Sequence, residues 1–376
     1  MDKEYDFLIV GAGLFGAVFA HEATKQGKKC LVLDKRNHTG GNVHCKQIEG
    51  ITVHEYGPHI FHTNNKKIWN YVNALVPFQP FINTPIVNYK GRMFNLPFNM
   101  NTFTQLWGVI TPNEAKRKIA RQVAEINIKE PKNLEEQALS LVGKDIYEIF
   151  IKGYTEKQWG RKAVNLPPFI IKRIPLRFTF NNNYFNDKYR GIPRGGYNVL
   201  INALLNMISV LLNVDYLQNR QELNDKAEWV VYSGQVDAFY GFRFGKLDYR
   251  SLHFDHKVIH TNNYQGNAVI NYTESQIPYT RTIEHQFFDR MNIKNKGKTV
   301  VTWEYPQEYN GKNEPFYPIN NEKNMKMYKE YKYLADNEPK VLFGGRLAKY
   351  RYYDMHQVIG SALKMVRGIL AENLCC

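Results

Sequence analysis

Cysteine is scarce in this 376-residue chain, which contains four, at Cys30, Cys45, Cys375 and Cys376. None of them has the spacing of a metal site, and Cys30 lies in an apolar run, where a free cysteine usually packs as a small hydrophobic residue. The sequence also lacks a signal-peptide pattern and an apolar run long enough to cross a membrane. These absences predict a reduced, cytoplasmic protein. The Cys375-Cys376 pair favours a frayed tail over a lipidation site.

Blocks of like charge are missing as well, although the net charge is +15. No run of five or more like charges occurs, so we do not expect a solvated polybasic arm. The positive charge favours an anionic partner, which can be nucleic acid, a membrane or a phosphorylated small molecule. The basic residues are dispersed rather than arranged in a stripe, which argues against nucleic acid. With 43% hydrophobic and 23% charged residues, the chain has a globular composition and the length of two or three domains.

A glycine-rich turn near the start of the chain carries the strongest positive signal. It joins an apolar strand at 7–10 to a small-residue helix at 14–26, with the spacing Gly11-x-Gly13-x-x-Gly16. In dinucleotide-binding folds the first glycine permits the turn, the second lets the backbone approach a pyrophosphate, and the third lets the helix pack closely. Asp34 ends the next strand about 20 residues later, where an acid can accept hydrogen bonds from ribose hydroxyls.

The residues after Asp34 favour FAD over NAD. The string Asp34-x-Arg36-x-x-x-Gly40-Gly41-Asn42 resembles the extension found in FAD-containing amine oxidases and their superfamily, where adjacent glycines let backbone lie against the flavin. Near the other end, Gly344-Gly345-Arg346 and then Asp354-Met355-His356 lead into an apolar helix. Its N-terminus would point at the pyrimidine edge of the flavin. A plain helix capped by Asp354 is the alternative.

The pattern along the chain predicts an α/β fold, a Rossmann-like FAD-binding domain with an inserted helical domain and an antiparallel β-sheet domain. No low-complexity linker separates these parts, so we expect the domains to be interleaved. The predicted FAD-binding domain comprises residues 1–75, 185–246 and 318–376. The helical domain is 98–184, with a mobile arginine loop near 167–177, and the sheet domain is 76–97 and 247–317.

Two histidines three residues apart, in His59-Ile60-Phe61-His62, invite a metal interpretation. No carboxylate or cysteine has the spacing of a third ligand, and the sequence contains neither H-E-x-x-H nor G-x-S-x-G. We therefore expect no metal site. The string follows the turn Tyr56-Gly57-Pro58, which favours lining of a flavin pocket, and purely structural histidines remain an alternative.

An aromatic and polar segment at 153–161 could contact a nucleobase. Tyr154 and Trp159 have the properties of a stacking platform, but packing in the core explains them equally well. Arg173 and Arg177 follow in a segment bracketed by prolines, which is typical of a loop that closes over a phosphorylated ligand.

Several strings together resemble prokaryotic UDP-galactopyranose mutases, and the resemblance extends from Asp6 to about Val366. They are His59-Ile60-Phe61-His62-Thr63, Phe94-Asn95-Leu96-Pro97-Phe98, 153–160, 170–177, Asn182-Asn183-Tyr184-Phe185, 266–271, Pro278-Tyr279-Thr280-Arg281 and Tyr352-Tyr353-Asp354-Met355-His356. The resemblance implies an isomerase that interconverts UDP-galactopyranose and UDP-galactofuranose without net redox change. N5 of reduced FAD would form a covalent adduct with the anomeric carbon. An FAD-dependent oxidoreductase of the amine-oxidase superfamily is the alternative.

The same resemblance implies roles for individual residues. The residues with a catalytic role would be Arg173, Arg281 and His62. The substrate would contact Asn83, Phe150, Tyr154, Thr155, Trp159, Tyr184, Arg250, Asn271, Tyr317 and Tyr352. FAD would be held by Gly11, Gly13, Phe15, Gly16, Asp34, Lys35, Gly41, Asn42, His59, Ile60, Arg346, Asp354, Met355 and His356. The expected partners are UDP-galactose in both ring forms, a second copy of the chain as a homodimer, and an external reductant such as NAD(P)H.

Overall fold

The structure is a computed structural model that describes residues 3–171, 174–289 and 297–372. The strands of these residues, β1 to β17 in chain order, are Tyr5–Val10, Cys30–Asp34, Cys45–Ile48, Ile51–His54, Phe61–Thr63, Phe78–Pro80, Ile86–Tyr89, Arg92–Asn95, Tyr189–Pro193, Ser209–Leu212, Ala227–Tyr232, Tyr249–Ile259, Val269–Tyr272, Arg281–Glu284, Thr299–Glu308, Tyr317–Pro318 and Val341–Phe343. The helices, α1 to α12, are Leu14–Lys25, Lys66–Leu75, Met100–Trp107, Pro112–Ile126, Leu134–Ile146, Gly153–Trp159, Tyr197–Leu204, Arg220–Asp225, Val236–Phe239, Glu322–Asp336, Gly345–Ala348 and Met355–Glu372.

A parallel five-stranded sheet contains the glycine-rich turn. Its strand order is β10-β2-β1-β11-β17, and every neighbouring pair is parallel. The strand β2 is buried along its whole length, as expected for a parallel strand covered on both faces. Helices α1 and α12 pack against each other over this sheet, through residues such as Val18, Phe19 and Ala362. This arrangement confirms the predicted α/β fold with a Rossmann-like domain.

A second, seven-stranded sheet has the order β16-β12-β15-β14-β13-β7-β8. It is antiparallel except for the parallel pair β7 and β13. In the register of its centre, Arg281 lies opposite Asn271 on one neighbour and opposite Glu304 on the other. The polar residues Asn271, Arg281 and Glu304 are therefore neighbours across the adjacent strands β13, β14 and β15.

A helical layer formed by α3 to α6 covers one end of this sheet. A π-helix at Tyr147–Lys152 leads directly into α6, and Phe150 on the π-helix packs against Phe94 and Phe98. A small sheet of order β5-β9-β6 lies nearby, with His62 of β5 opposite Arg190 of β9. It brings the histidine string next to the segment that precedes β9.

Candidate active site

One cavity of about 1180 Å³ runs from the glycine-rich turn to the second sheet. Its lining includes Gly11 and Gly13 at one end, and Tyr154, Asn271 and Arg281 at the other. A cavity for one drug-sized ligand typically has roughly 300 to 1,000 Å³. The volume therefore leaves room for more than one small ligand, and the two ends offer different chemistry.

The glycines of the turn are required by the backbone at this end of the cavity. Gly11 has φ +109°, and a Cβ there would lie 2.2 Å from the Ser233 hydroxyl oxygen. A Cβ on Gly16 would lie 2.0 Å from the carbonyl oxygen of Gly11, so α1 can approach β1 only without a side chain. Gly13 is the N-cap residue of α1 and gives no side-chain cap, which leaves the helix N–H groups for an anion.

Asp34 lies at the end of β2 and is fixed by the turn. Its two carboxylate oxygens accept hydrogen bonds from the backbone N–H groups of Ala12 and Arg36, at 2.9 Å each. The guanidinium of Arg36 pairs with Glu314 at 2.8 Å and lies over the ring of Tyr56, and its buried Nη1 atom has no partner. A rigid acid beside an unsatisfied guanidinium nitrogen fits the ribose and phosphate groups of a dinucleotide.

The two histidines of the 59–62 string have different partners. The backbone N–H of His59 donates to Nδ1 of the buried His54, and burial lowers the pKa of His59 to about 4. His62 instead pairs through Nδ1 with Asp187, at 2.6 Å. Both His59 and His62 line the cavity. Their contacts are with different residues, so these contacts do not direct the two imidazoles at one metal ion.

A different trio, His38, His44 and Glu55, has ligand atoms within 4.8 Å of one another. The two imidazole rings stack face to face, with centroids 3.8 Å apart, and both Nδ1 atoms lie near the carbonyl oxygen of Thr39. Stacked rings cannot both direct in-plane lone pairs at one ion, and Lys46 already pairs with Glu55. We therefore propose no metal for this trio.

Arg281 is the main cationic group at the far end of the cavity. Its Nε lies 2.7 Å from Oε2 of Glu304, which is fully buried. Burial lowers the pKa of the Arg281 guanidinium, but the Glu304 carboxylate outweighs this and holds the pKa above its usual value. Burial raises the pKa of Tyr154 to about 12, with Arg281 opposing the rise, so the phenol stays neutral. This end of the cavity therefore offers a permanently protonated guanidinium next to a neutral hydrogen-bonding aromatic.

Helix α6, which carries Tyr154, is held against the strands that carry Asn271 and Arg281. Lys157 donates to the carbonyl oxygens of Tyr272 and Tyr279 at 2.7 and 2.9 Å, and burial lowers the pKa of Lys157 to about 8. Gly153 packs so closely that a Cβ would lie 2.2 Å from the Thr273 carbonyl oxygen. This close packing fixes the aromatic ring relative to the guanidinium.

Most of the residues that the sequence assigned to the site line this one cavity. The predicted catalytic and substrate residues found there are Arg281, His62, Asn83, Phe150, Tyr154, Tyr184, Asn271 and Tyr352. The predicted cofactor residues found there are Gly11, Gly13, Phe15, Asp34, Lys35, Gly41, Asn42, His59, Ile60, Arg346, Asp354 and Met355. Arg173 lies outside the described residues.

Six assigned residues are not on the cavity wall: Gly16, Thr155, Trp159, Arg250, Tyr317 and His356. Arg250 is buried, and its guanidinium turns to the Gln158 carbonyl oxygen and to Glu308. Trp159 packs against the core of the helical layer. Tyr317 stacks behind Tyr352, with ring centroids 5.9 Å apart, so it supports the wall without forming it.

Sequence reasoning gave no role to several polar and aromatic groups that the structure places on the wall or in contact with it. Arg36, Arg161 and Phe185 line the cavity, and Glu304 holds Arg281. Arg36 lies inside the string 34–42 that favours FAD, and this position could have indicated that it lines the cofactor site. No such signal pointed to Glu304, because its pairing with Arg281 depends on the register between β14 and β15.

The chain is similar in sequence and in fold to known proteins. A UDP-galactopyranose mutase family model matches residues 149–352, and an NAD(P)-binding Rossmann-like domain model matches residues 9–75. A probable UDP-galactopyranose mutase from Klebsiella pneumoniae is 40% identical over 372 residues, covering 98% of this chain and 95% of the relative. This chain belongs to the UDP-galactopyranose mutase family. The prediction of that family, and of an isomerase, is confirmed.

Two further similarities extend the comparison. A dTDP-fucopyranose mutase from Escherichia coli is 37% identical, covering 97% of this chain and 98% of the relative. The crystal structure of a reduced UDP-galactopyranose mutase has the same fold, with a TM-score of 0.75 at 13% identity, covering 98% of this chain and 96% of that one. The Rossmann-like domain and this fold indicate a flavin cofactor. Within the described part of the chain, no helix has the length and apolarity needed to span a membrane.

Proposed function

We propose that this enzyme interconverts UDP-galactopyranose and UDP-galactofuranose and that its cofactor is FAD, active when reduced. The observation that supports this most strongly is the continuous cavity. It joins the dinucleotide-binding glycines to a compartment that contains Arg281, Tyr154, Tyr184 and Tyr352. A flavin oxidoreductase needs the first half of such a cavity. An arginine surrounded by phenols, in contrast, suits a substrate that carries a diphosphate.

The residues at the first end fit FAD. The close approach of Gly13 and Gly41 leaves bare backbone for the pyrophosphate, since a Cβ on Gly41 would lie 3.1 Å from the Cα of Gly13. We assign the ribose to Asp34, and the flavin end to Arg346 and the N-terminus of α12. When bound and reduced, FAD supplies the nucleophile for the anomeric carbon of the sugar.

At the other end, the side chains hold the nucleotide while it is separated from the sugar. Glu304 occupies Nε of Arg281, so the two terminal nitrogens of the guanidinium are left for phosphate oxygens. Tyr154 lies on the wall with Phe150 and offers a flat aromatic face to the uracil ring. Because the diphosphate must stay in place and reattack, a fixed cation and neutral phenols stabilise it better than mobile surface charges do.

The decisive experiment compares the oxidised and the dithionite-reduced enzyme with UDP-galactofuranose. We expect many turnovers to UDP-galactopyranose per flavin after reduction, and little conversion before it, without stoichiometric oxygen uptake. Equal conversion in both states would reject the reduced-flavin mechanism. Oxygen or acceptor consumed in proportion to substrate would instead support the oxidoreductase alternative.

The choice of nucleotide sugar needs its own comparison, because one close relative carries the name of a dTDP-fucose enzyme. We propose UDP-galactose, which is the substrate named by the family model and by the Klebsiella relative. The furanose forms of UDP-galactose, dTDP-fucose and UDP-N-acetylgalactosamine, assayed side by side, should give the highest kcat/KM for UDP-galactose. A higher value for either of the others would replace that assignment.

Several expectations of the sequence analysis remain proposals. They are a homodimer, an external reductant such as NAD(P)H, a cytoplasmic location, and the division into an FAD-binding, a helical and a sheet domain at the boundaries given above. Size-exclusion chromatography with light scattering tests the first. Anaerobic bleaching of the flavin absorbance by NADH or NADPH tests the second.

A further inference from the structure

His62 is enclosed by three groups at the junction of the two halves of the cavity. Its Nδ1 lies 2.6 Å from Oδ2 of Asp187. One face of the imidazole stacks on Phe185, with centroids 3.9 Å apart, and its edge meets His356 at 5.8 Å. His62 and Phe185 line the cavity, whereas Asp187 is not among its lining residues.

The contact with Asp187 decides which ring nitrogen carries the proton. A carboxylate can only accept a hydrogen bond, so Nδ1 of His62 must be the protonated nitrogen. In the neutral ring, Nε2 is then left with its lone pair. Since Nδ1 is paired with Asp187 and the ring lines the cavity, Nε2 is the ring nitrogen left to accept a proton.

Asp187 is itself held by a chain of hydrogen bonds with only one possible direction. The backbone N–H of Lys188 donates to Oδ1 of Asn64 at 2.9 Å, which orients the Asn64 amide. Its Nδ2 then donates to Oδ1 of Asp187 at 2.6 Å. The remaining carboxylate oxygen, Oδ2, is the one that faces His62.

The same short segment contacts the substrate half of the cavity. Tyr184 and Phe185 lie on the wall, and the backbone N–H of Tyr184 donates to the carbonyl oxygen of Asn83, which is also on the wall. The position of Asp187 is therefore tied to residues that the proposed function assigns to the substrate.

We propose that Asp187 is a positioning residue that fixes the tautomer and the ring orientation of His62, so that Nε2 is kept as a proton acceptor. This rests on the proposed function and on the catalytic role that the family resemblance implies for His62, which lines the cavity. Asp187 touches neither ligand. It acts through His62, in the way that outer partners orient functional imidazoles elsewhere.

The variant Asp187→Asn tests this directly, because the existing hydrogen bonds fix how the new amide lies. Asn64 donates to the inner oxygen position, so the carbonyl of the new amide occupies that position and its NH2 group faces His62. An NH2 donor at Nδ1 reverses the tautomer and puts the proton on Nε2. Asn64→Ser is the matched control, because it disturbs the same segment but leaves the carboxylate next to His62.

We expect Asp187→Asn to lower kcat by roughly tenfold or more with KM changed by less than about twofold, since Nε2 of His62 can then no longer accept a proton during the reaction. Asn64→Ser should lower kcat much less than Asp187→Asn does, because the carboxylate still accepts a hydrogen bond from Nδ1 of His62. In a His62→Phe background, Asp187→Asn should cause no further loss, because its effect passes through the imidazole. Flavin content and Tm show whether each variant is folded.

A second measurement does not depend on turnover. In protein with 15N-labelled histidine, the His62 resonances, assigned by their loss in His62→Phe, should report a proton on Nδ1 in the parent and on Nε2 in Asp187→Asn. An unchanged tautomer, an equal kcat loss from Asn64→Ser, or an undiminished loss in the His62→Phe background would each overturn the proposal. If the parent isomerises no nucleotide sugar, the proposed function fails, while the tautomer measurement still decides the role of Asp187.

Discussion

Two buried histidines, His54 and His285, and the half-buried His59 on the cavity wall should make the folded protein sensitive to mild acid. His54, His59 and His285 are linked by backbone N–H groups that donate to ring nitrogens: His59 to His54, and His54 to His285. The second ring nitrogen of His285 meets the hydroxyl of Thr302 at 2.6 Å. Burial lowers the pKa of His54 to about 3 and that of His59 to about 4, and it holds the pKa of His285 far below its usual range.

The loss of unfolding free energy at low pH follows from the protons that the unfolded chain binds and the native chain does not. An unfolded histidine has a pKa near 6.5, so its stabilising effect on the native state is fully present above about pH 6.5 and is lost as the pH falls. At pH 5 each histidine that stays neutral in the native state costs about 2 kcal/mol of unfolding free energy, or about 6 kcal/mol for three. Because a domain is typically stable by about 5 to 15 kcal/mol, this loss brings the protein close to unfolding.

Urea unfolding at a series of pH values, with FAD saturating, measures this effect. The variant His285→Gln is suited to it, because the amide can accept from His54 and donate to Thr302 without titrating. Between pH 7.5 and pH 5, it should lose about 2 kcal/mol less than the parent. His260→Gln, which removes an exposed imidazole, should follow the parent. If His285→Gln and the parent lose stability in parallel, the histidines are not held neutral and the reasoning is refuted.

Four further outcomes can be measured on single variants. Arg281→Ala should lower kcat/KM by about 100-fold or more while the flavin remains bound, and an unchanged value would remove the diphosphate role. Glu304→Gln keeps an acceptor for Arg281 but removes the charge. It should lower the unfolding free energy by about 1 to 3 kcal/mol, and UDP should raise its Tm by more than it raises the Tm of the parent. A smaller UDP-induced rise than in the parent would contradict this. Lys157→Met should weaken UDP binding by about tenfold, as seen by calorimetry, and Lys157→Arg should restore most of it. Gly16→Ala should abolish flavin binding, because its Cβ would lie 2.0 Å from a backbone oxygen, whereas Gly368→Ala, with no atom within 4 Å, should keep the parent absorbance spectrum.

The glycine-rich end of the site could be predicted from the sequence because its constraints are local. Gly11 needs a positive φ, Gly16 needs room for the helix against the preceding turn, and Asp34 follows at a fixed distance along the chain. Each requirement is met within one strand–turn–helix–strand unit. The spacing of a few residues therefore carries most of the information about where the cofactor lies.

The other end of the site could be assigned only by resemblance, because its contacts depend on strand register. Glu304 and Arg281 are opposite each other on β14 and β15, and residue spacing alone does not give the register that pairs them. Asp187 and His62 meet for the same reason, through the pairing of β5 with β9. Both acids belong to the site, and both escaped notice in the sequence.

Arg250 shows where resemblance itself stops being sufficient. A match in sequence predicts an arginine at this position but does not fix the direction of its side chain. In the structure, the guanidinium of Arg250 pairs with the Gln158 carbonyl oxygen and with Glu308. Arg281 differs because its acid, Glu304, binds Nε and leaves the far end of the fork unoccupied. The two arginines therefore differ in which guanidinium nitrogen binds the acid. Glu308 pairs with a terminal nitrogen of Arg250, whereas Glu304 pairs with Nε of Arg281. Only the second arrangement leaves a guanidinium that can bind a diphosphate with both terminal nitrogens, which is why we assign the phosphate role to Arg281 and a structural one to Arg250.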